Sequence, residues 1–352
     1  MKSNKILKLS IYGLCVLFLI FGCYVFKYSY SSNFSYLNSS NTSIIQNRIV
    51  DQKKLMLQSN TVCSSISDKS LCVEGLSGNV YISNKNSDKW AILIHGYTSC
   101  GNSIYSSFGA IYEALGYNVL APDLRGHGNS AGSVSFGYLE SLDIYDWIKD
   151  LNSNWNRYGV NVSPGTIIVH GHSLGAATTL QLATNPDIAA AASNPYTKNL
   201  TQLKVKGFIE EAGFTSLIGL YKDSSYTNSS TIINSFIDSI AAEYVFEQYN
   251  YNFGLTVNNF SKYSNVFSNG RIFPAGSKIM AIHGTQDNIV PVANIDRLVD
   301  NVTPGILVYT WKPNDVVHSA LNNDYNKLKY AGLISNFTKC VENSNCKSIN
   351  WY

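Results

Sequence analysis

The chain has 352 residues, of which 45% are hydrophobic and 14% charged, which excludes a disordered chain and allows one large domain or two ordinary ones. The formal net charge is +3, and four lysines flank an apolar N-terminal segment, so the remainder carries 3 − 4 = −1. That balance excludes a basic surface for nucleic acid, and no nucleic-acid partner is expected.

The N-terminal segment, residues 9–26, reads LSIYGLCVLFLIFGCYVF and contains no charged residue. It is long enough to cross the hydrocarbon core of a bilayer. Three lysines precede it and one follows, so the positive-inside rule places the N-terminus in the cytoplasm and the folded part outside. The sequence therefore predicts residues 1–27 as a single-pass membrane anchor. An exported chain with a cleaved signal, or a lipid-anchored one modified at Cys23, is the alternative.

Residues 28–75 are predicted to form a stalk and lead-in, because their first part is rich in Ser, Asn and Tyr and lacks a clean period. The folded domain is expected over residues 76–345, followed by a C-terminal tail at 346–352.

Cysteine spacing agrees with a location outside the cytoplasm. Cys63 with Cys72, and Cys340 with Cys346, are close enough in sequence to form small-loop disulfides, which leaves Cys100 as a thiol. The alternative, in which all of these are buried thiols, stays open.

From about residue 79, short apolar runs alternate with longer amphipathic segments. The runs centre near Val80, Ile92, Val119, Ile168, Phe208, Met280 and Val308. Several are nearly continuous hydrophobics, as in strands that are covered on both faces. Between the third and fourth runs, apolar residues recur at helical spacing at Leu142, Ile144, Trp147, Ile148 and Leu151. Such alternation predicts an α/β fold with a mostly parallel, doubly wound sheet.

One interval is longer than a single crossover helix requires. About sixty residues separate Ser216 from Lys278, and apolar residues recur there at helical spacing from Ile233 to Tyr244. The sequence therefore predicts a helical cap inserted at about residues 217–277. Two interpretations of its aromatic residues stay open: they line an apolar substrate pocket, or they pack the cap on the domain.

Polar segments follow five of the predicted strands, and functional residues of an open parallel sheet lie beyond the carboxyl ends of its strands. Ser173 follows the run near Ile168 and lies within Gly-x-Ser-x-Gly. Asp287 follows the run near Met280, and His318 follows the last run. Serine, then aspartate, then histidine is the chain order of a catalytic triad on such a sheet.

Six segments resemble those of the α/β-hydrolase superfamily, within the serine hydrolases related to monoacylglycerol lipases and a membrane-anchored group of enzymes. They are HGYTS at 95–99, DLRGHGNS at 123–130, GHSLGAA at 171–177, EEAGFTS at 210–216, HGTQDNIVP at 283–291 and DVVHSAL at 315–321. They cover about residues 79–340 in the family's order. The resemblance implies an α/β-hydrolase fold with an inserted cap, and a serine hydrolase that acts on a small ester or acyl-lipid substrate.

The residue chemistry around Ser173 agrees with a nucleophile. Gly171 and Gly175 permit a tight turn from strand to helix. The Leu174 amide, at the N-terminus of that helix, points to the oxyanion that develops when a hydroxyl attacks a carbonyl. The second oxyanion-hole donor is expected to be the backbone amide of Tyr97.

Elimination among six histidines assigns the base. His95, His170 and His283 lie at strand ends, where they are expected to orient loops. His172 is next to Ser173 in sequence, so its side chain should point away from the serine hydroxyl. His127 lies inside a turn. Only His318 lies on a loop that can return over Ser173.

Asp287 is expected to orient the imidazole of His318 and stabilise its charged form, with Asp300 and Asp315 as the rival carboxylates. The turn that holds Asp123, Arg125 and His127 is interpreted as structural.

The leading functional hypothesis is a carboxylesterase or lipase-like serine hydrolase that works through an acyl-enzyme. An acyltransferase, a thioesterase or a serine peptidase with the same triad is the alternative, since the fold does not select the acceptor. A non-enzymatic interaction module would be expected to have a broken triad. The sequence contains no His/Cys cluster with metal-ligand spacing and no Gly-rich phosphate loop, so neither metal nor cofactor is expected.

Overall fold

The computed structural model describes residues 51–60, 72–184, 199–216, 220, 273, 277–302, 306–321, 324–343 and 350–351. Within these residues the chain forms one sheet of nine strands, in the spatial order β1-β2-β4-β3-β5-β6-β7-β8-β9. The strands are β1 (Asp51–Leu57), β2 (Leu76–Ile82), β3 (Lys89–Ile94), β4 (Asn118–Pro122), β5 (Thr166–His172), β6 (Val205–Glu211), β7 (Lys278–Ile282), β8 (Leu307–Trp311) and β9 (Asn350–Trp351).

The sheet is mostly parallel. Only the β1–β2 and β2–β4 pairs are antiparallel among those described. All seven predicted strands are present, as β2 to β8.

Helices cover both faces of the sheet. They are α1 (Gly101–Ala114), α2 (Tyr138–Ser153), α3 (Leu174–Thr184), α4 (Ala293–Asn301) and α5 (Asp324–Asn343), with a 3₁₀ turn at Trp155–Tyr158. Residues of α2, α3 and α4 belong to one hydrophobic cluster, and residues of α1 and α5 to a second. The predicted α/β fold with a doubly wound sheet is therefore confirmed.

The alternation of strand side chains explains the two clusters. In β3, Ile92 and Ile94 belong to the first cluster, whereas Ala91 and Leu93 belong to the second. Successive side chains of a strand point to opposite faces, and here both faces are buried. This is why the central strands are nearly continuous hydrophobic runs.

Strand β1 lies within the segment that the sequence analysis assigns to the stalk and lead-in. Among the described strands it pairs only with β2, and of its seven residues only Leu55 is buried. Lys53 and Lys54 are exposed on it, as is common on edge strands, where charged side chains oppose pairing with another chain. Because only one of its residues is buried, this edge strand lacks the alternation of apolar and polar residues by which a strand is predicted from sequence.

Several predicted features lie outside the described residues. These are the anchor at residues 1–27 and the cap at 217–277, apart from residues 220, 273 and 277. Across the described ranges, no helix is both long and apolar enough to cross a membrane. Cys72 and Cys340 are each disulfide-bonded, which excludes the interpretation of all cysteines as thiols, and Cys100 is buried.

Candidate active site

Ser173 lies on the sharp turn between β5 and α3. Its φ angle is 56°, in the left-handed region that non-glycine residues seldom adopt. Its amide donates a hydrogen bond to the Glu211 carbonyl at 2.8 Å, and its carbonyl accepts one from the Ala177 amide at 3.0 Å. The turn therefore joins the ends of β5 and β6 to the first turn of α3, and presents the serine hydroxyl at the carboxyl edge of the sheet.

The glycines on either side of Ser173 are required by close backbone packing. A Cβ on Gly171 would lie 2.0 Å from the Gly175 carbonyl oxygen, and a Cβ on Gly175 would lie 2.1 Å from the Ile94 carbonyl oxygen. Both distances are far below van der Waals contact with backbone atoms that cannot rotate away. The Gly-x-Ser-x-Gly sequence is therefore a steric requirement of this turn.

The structure brings Ser173, His318 and Asp287 together. His318 Nε2 lies 2.8 Å from Ser173 Oγ, and His318 Nδ1 lies 2.8 Å from Asp287 Oδ2. Because a carboxylate only accepts hydrogen bonds, Nδ1 carries the proton and Nε2 is free to accept the serine hydroxyl proton. This is the geometry in which a neutral imidazole can act as a base toward a hydroxyl.

The carboxylate of Asp287 is fixed in place and fully buried. Its Oδ1 accepts hydrogen bonds from the amides of Ile289 at 2.8 Å and Val290 at 2.9 Å. Burial by itself raises the pKa of Asp287, but hydrogen bonds from His283 and His318 outweigh it and hold that pKa below its ordinary value. Asp287 is therefore ionised at neutral pH, and its negative charge would stabilise the positive charge that His318 acquires as a base.

The two rival carboxylates lie elsewhere. Asp315 accepts a hydrogen bond from the side-chain amide of Gln286 at 2.8 Å. Asp300 is exposed on α4. Asp287 is the carboxylate that contacts His318 in this structure.

The two amides predicted to form the oxyanion hole belong to Leu174, which follows Ser173 directly, and to Tyr97, which follows Gly96. Leu174 is the first residue of α3, so its amide is among the N–H groups that find no carbonyl within the helix. The loop that leads to Tyr97 passes close by, since a Cβ on Gly96 would lie 3.2 Å from the Ser173 Cβ.

His95 fixes the loop that carries Tyr97. Its Nδ1–H donates to the Gly96 carbonyl at 2.8 Å, and its Nε2 accepts the Leu124 amide hydrogen at 2.9 Å. Burial, and then the neighbouring His127, lower the pKa of His95 to about 3. His95 is therefore neutral and joins this loop to the segment after β4.

The turn with Asp123, Arg125 and His127 is held by its own contacts. Asp123 accepts hydrogen bonds from the amides of Gly101 and Asn129. Arg125 Nε lies 2.6 Å from Asp143 Oδ2 in a buried ion pair. These contacts join the turn to α1 and α2, in agreement with a structural role.

Three residues that the sequence analysis did not assign to the site contact its members. His283 Nε2 lies 3.3 Å from Asp287 Oδ2 and 2.7 Å from the Val290 carbonyl. His172 Nε2–H donates to the His318 carbonyl at 2.9 Å, and the Glu211 carboxylate accepts the Ala320 amide hydrogen at 2.7 Å. Their position at strand ends was the only signal in the sequence, and it does not reveal which loop each side chain reaches.

A second buried acid lies beside Glu211. Burial raises the pKa of Glu210 to about 7, and its carboxylate accepts the Gly213 amide hydrogen at 3.0 Å. Burial lowers the pKa of His283, but the hydrogen bond to Asp287 and the charge of Glu210 outweigh it, so that the pKa of His283 is raised.

Comparison with known proteins gives partial sequence relatives. A thermostable monoacylglycerol lipase of Bacillus sp. is 30% identical over 105 residues, which are 30% of this chain and 39% of that protein. The uncharacterized protein YqkD of Bacillus subtilis is 35% identical over 94 residues, 26% of this chain and 28% of that protein. The matched part is thus less than half of either relative.

Solved structures show the fold over more of the chain. An esterase of Pyrococcus furiosus matches with a TM-score of 0.52 at 19% identity, over 82% of this chain and 92% of that one. An esterase of Pyrobaculum calidifontis matches with a TM-score of 0.52 at 16% identity, over 82% and 86%.

The family model for the alpha/beta hydrolase family matches residues 91–297, which is more than half of the 352 residues. The matched range begins within β3, runs through β7 and includes Ser173 and Asp287. The chain belongs to the alpha/beta hydrolase family.

Proposed function

We propose that the protein is a serine hydrolase that cleaves carboxylic esters. In this proposal Ser173 is the nucleophile, His318 is the base, and Asp287 is the carboxylate that orients His318. The single observation that carries the proposal is the position of His318, whose two ring nitrogens lie 2.8 Å from Ser173 Oγ and 2.8 Å from Asp287 Oδ2. Membership of the alpha/beta hydrolase family supports it, as does the partial similarity to a Bacillus monoacylglycerol lipase.

The first half of the proposed reaction forms an acyl-enzyme. Ser173 Oγ attacks the ester carbonyl carbon while its proton passes to His318 Nε2. The amides of Leu174 and Tyr97 donate to the oxyanion, and Asp287 stabilises the imidazolium. The carbon–oxygen bond to the alcohol then breaks, and His318 gives its proton to the departing alkoxide oxygen.

The second half regenerates the enzyme. Water attacks the acyl carbonyl and loses a proton to His318 Nε2, and the bond to Ser173 Oγ breaks as that oxygen recovers the proton. The products are a carboxylic acid and an alcohol, and no cofactor takes part.

A fluorophosphonate probe and a panel of substrates test this function. We expect the probe to label the wild-type chain at Ser173, and p-nitrophenyl esters to be hydrolysed. A matched panel of amide and thioester substrates, and product analysis with added alcohols, separates an esterase from a peptidase, a thioesterase or an acyltransferase. Labelling at another residue, or turnover of amides alone, would contradict the proposal.

We also propose that residues 1–27 anchor the protein in a membrane with the catalytic domain outside the cytoplasm. The support is the uncharged run at residues 9–26 with three lysines before it. After alkaline extraction of membranes, the full chain should stay in the pellet, and added protease should digest the domain in intact spheroplasts. Release of the chain by alkali would contradict the anchor.

A further inference from the structure

Glu211, the last residue of β6, contacts both the nucleophile turn and the base loop. Its main-chain carbonyl accepts the Ser173 amide hydrogen at 2.8 Å. Its side-chain Oε1 accepts the Ala320 amide hydrogen at 2.7 Å, two residues beyond His318. Glu211 is 1% exposed, so it lies behind these two segments, where substrate does not reach it.

A buried chain of hydrogen bonds fixes the direction of this carboxylate. The Tyr330 hydroxyl donates to Glu211 Oε2 at 3.1 Å and also lies 3.0 Å from His170 Nε2. His170 Nδ1 lies 3.0 Å from the Tyr112 hydroxyl. Tyr112, His170 and Tyr330 are each fully buried.

The proton positions in this chain follow from the Tyr330 hydroxyl as the donor to Glu211 Oε2. Since the Tyr330 hydroxyl donates to Glu211, His170 Nε2–H must donate to the Tyr330 oxygen, and the Tyr112 hydroxyl then donates to Nδ1. Burial lowers the pKa of His170 to about 3, so the ring is neutral and carries one proton, as this order requires. Every donor in the chain points toward Glu211, which therefore has a single well-defined orientation.

His172 provides a second attachment for the same loop. Its Nε2–H donates to the His318 carbonyl at 2.9 Å, so the loop is held at residue 318 from β5 and at residue 320 from β6. Residues 312–321 contain neither helix nor strand. The position of the imidazole therefore depends on such contacts from neighbouring elements.

We propose that Glu211 is a positioning residue, whose carboxylate holds the Ala320 amide and thereby keeps His318 Nε2 within hydrogen-bond distance of Ser173 Oγ. The proposal rests on the proposed function for its kinetic consequence, because it takes His318 as the base. Its structural consequence is independent of any activity.

Two variants of Glu211 separate the effect of losing the hydrogen-bond acceptor from the effect of losing the negative charge. Glu211→Gln keeps a carbonyl oxygen for the Ala320 amide, and the tyrosine–histidine chain can reverse, so that the new amide N–H donates to the Tyr330 oxygen and every donor points away from residue 211. Glu211→Ala removes the acceptor. Misplacement of a catalytic group by about 1 Å costs on the order of 100-fold, so we expect kcat on a p-nitrophenyl ester to fall about 30- to 100-fold in Glu211→Ala, with KM within about twofold. Glu211→Gln should retain kcat within about threefold, on the same reasoning.

The matched control is Asp150→Ala. Asp150 is a buried carboxylate that accepts a tyrosine hydroxyl hydrogen, from Tyr158 at 2.7 Å, at the C-terminal end of α2. Asp150→Ala should have a lower free energy of unfolding in urea, as Glu211→Ala does, but an unchanged kcat. An equal loss of kcat in Asp150→Ala, or in Glu211→Gln, would overturn the proposal.

A crystal structure of Glu211→Ala gives the readout that does not depend on activity. We expect the distance between His318 Nε2 and Ser173 Oγ to exceed 3.5 Å, and to remain near 2.8 Å in Glu211→Gln. An unchanged distance in Glu211→Ala would overturn the positioning role. If the distance lengthens but the wild-type chain cleaves no ester, the proposed function fails while the positioning role stands.

Discussion

Replacement of Ser173 by alanine is expected to lower kcat for ester hydrolysis by about 10⁴-fold or more, with little change in the free energy of unfolding. The hydroxyl is the atom proposed to form the acyl bond, and alanine at the same φ of 56° leaves the backbone of the turn as it is. Steady-state kinetics on a p-nitrophenyl ester, with urea unfolding of the same preparations, measures both quantities.

The companion variant His318→Ala should lower kcat by a similar factor. The double variant Ser173→Ala/His318→Ala should have a kcat no lower than that of either single variant. Nucleophile and base act as one unit, so the loss of the second adds nothing once the first is gone. Ser106→Ala, an exposed serine on α1, is the matched control and should retain full activity. Substantial turnover by Ser173→Ala, or additive losses in the double variant, would refute the assignment of these two residues.

Replacement of Gly175 by alanine is expected to lower the free energy of unfolding by at least about 3 kcal/mol, or to prevent folding. The new Cβ would lie 2.1 Å from the Ile94 carbonyl oxygen and 2.7 Å from the His95 carbonyl oxygen. Both are backbone atoms at the end of β3, so relief requires that α3 move away from the sheet. Urea unfolding followed by circular dichroism measures the change.

Gly332→Ala is the matched control for that substitution. Gly332 is exposed within α5, and a Cβ there would meet no atom within 4 Å. Alanine in a helix interior is favoured over glycine by about 1 kcal/mol, so this variant should be as stable as wild type or slightly more so. A Gly175→Ala chain as stable as Gly332→Ala would show that the turn after Ser173 tolerates a side chain, against the packing described above.

The sequence was sufficient to predict the central sheet and the loops at its carboxyl edge. Strands β2 to β8 are buried on one or both faces, so their apolar runs stand out from the segments between them. The order of the segments that carry Ser173, Asp287 and His318 was enough to place them at one edge, because parallel strands end together. These features depend on local composition and chain order, which are properties of the sequence itself.

Helix α2 illustrates what local pattern does not determine. Its apolar spacing predicted the helix, yet nearly all of its residues are buried, including Asp143 and Asp146. These acids are accommodated because Arg125 and Lys149 lie beside them. Arg125 comes from a loop eighteen positions earlier, and its contact with Asp143 follows from the packing of that loop on the helix.

The sequence by itself thus determined the sheet, the family resemblance and the three residues proposed for chemistry, because each is carried by a short segment with its own pattern. Tertiary structure alone decided which buried side chains hold those segments together. Glu211 lies 109 positions from Ala320, and His172 lies 146 positions from His318. Hydrogen bonds over such separations depend on strand register and loop path, since a shift of one residue in a strand turns each side chain to the opposite face of the sheet.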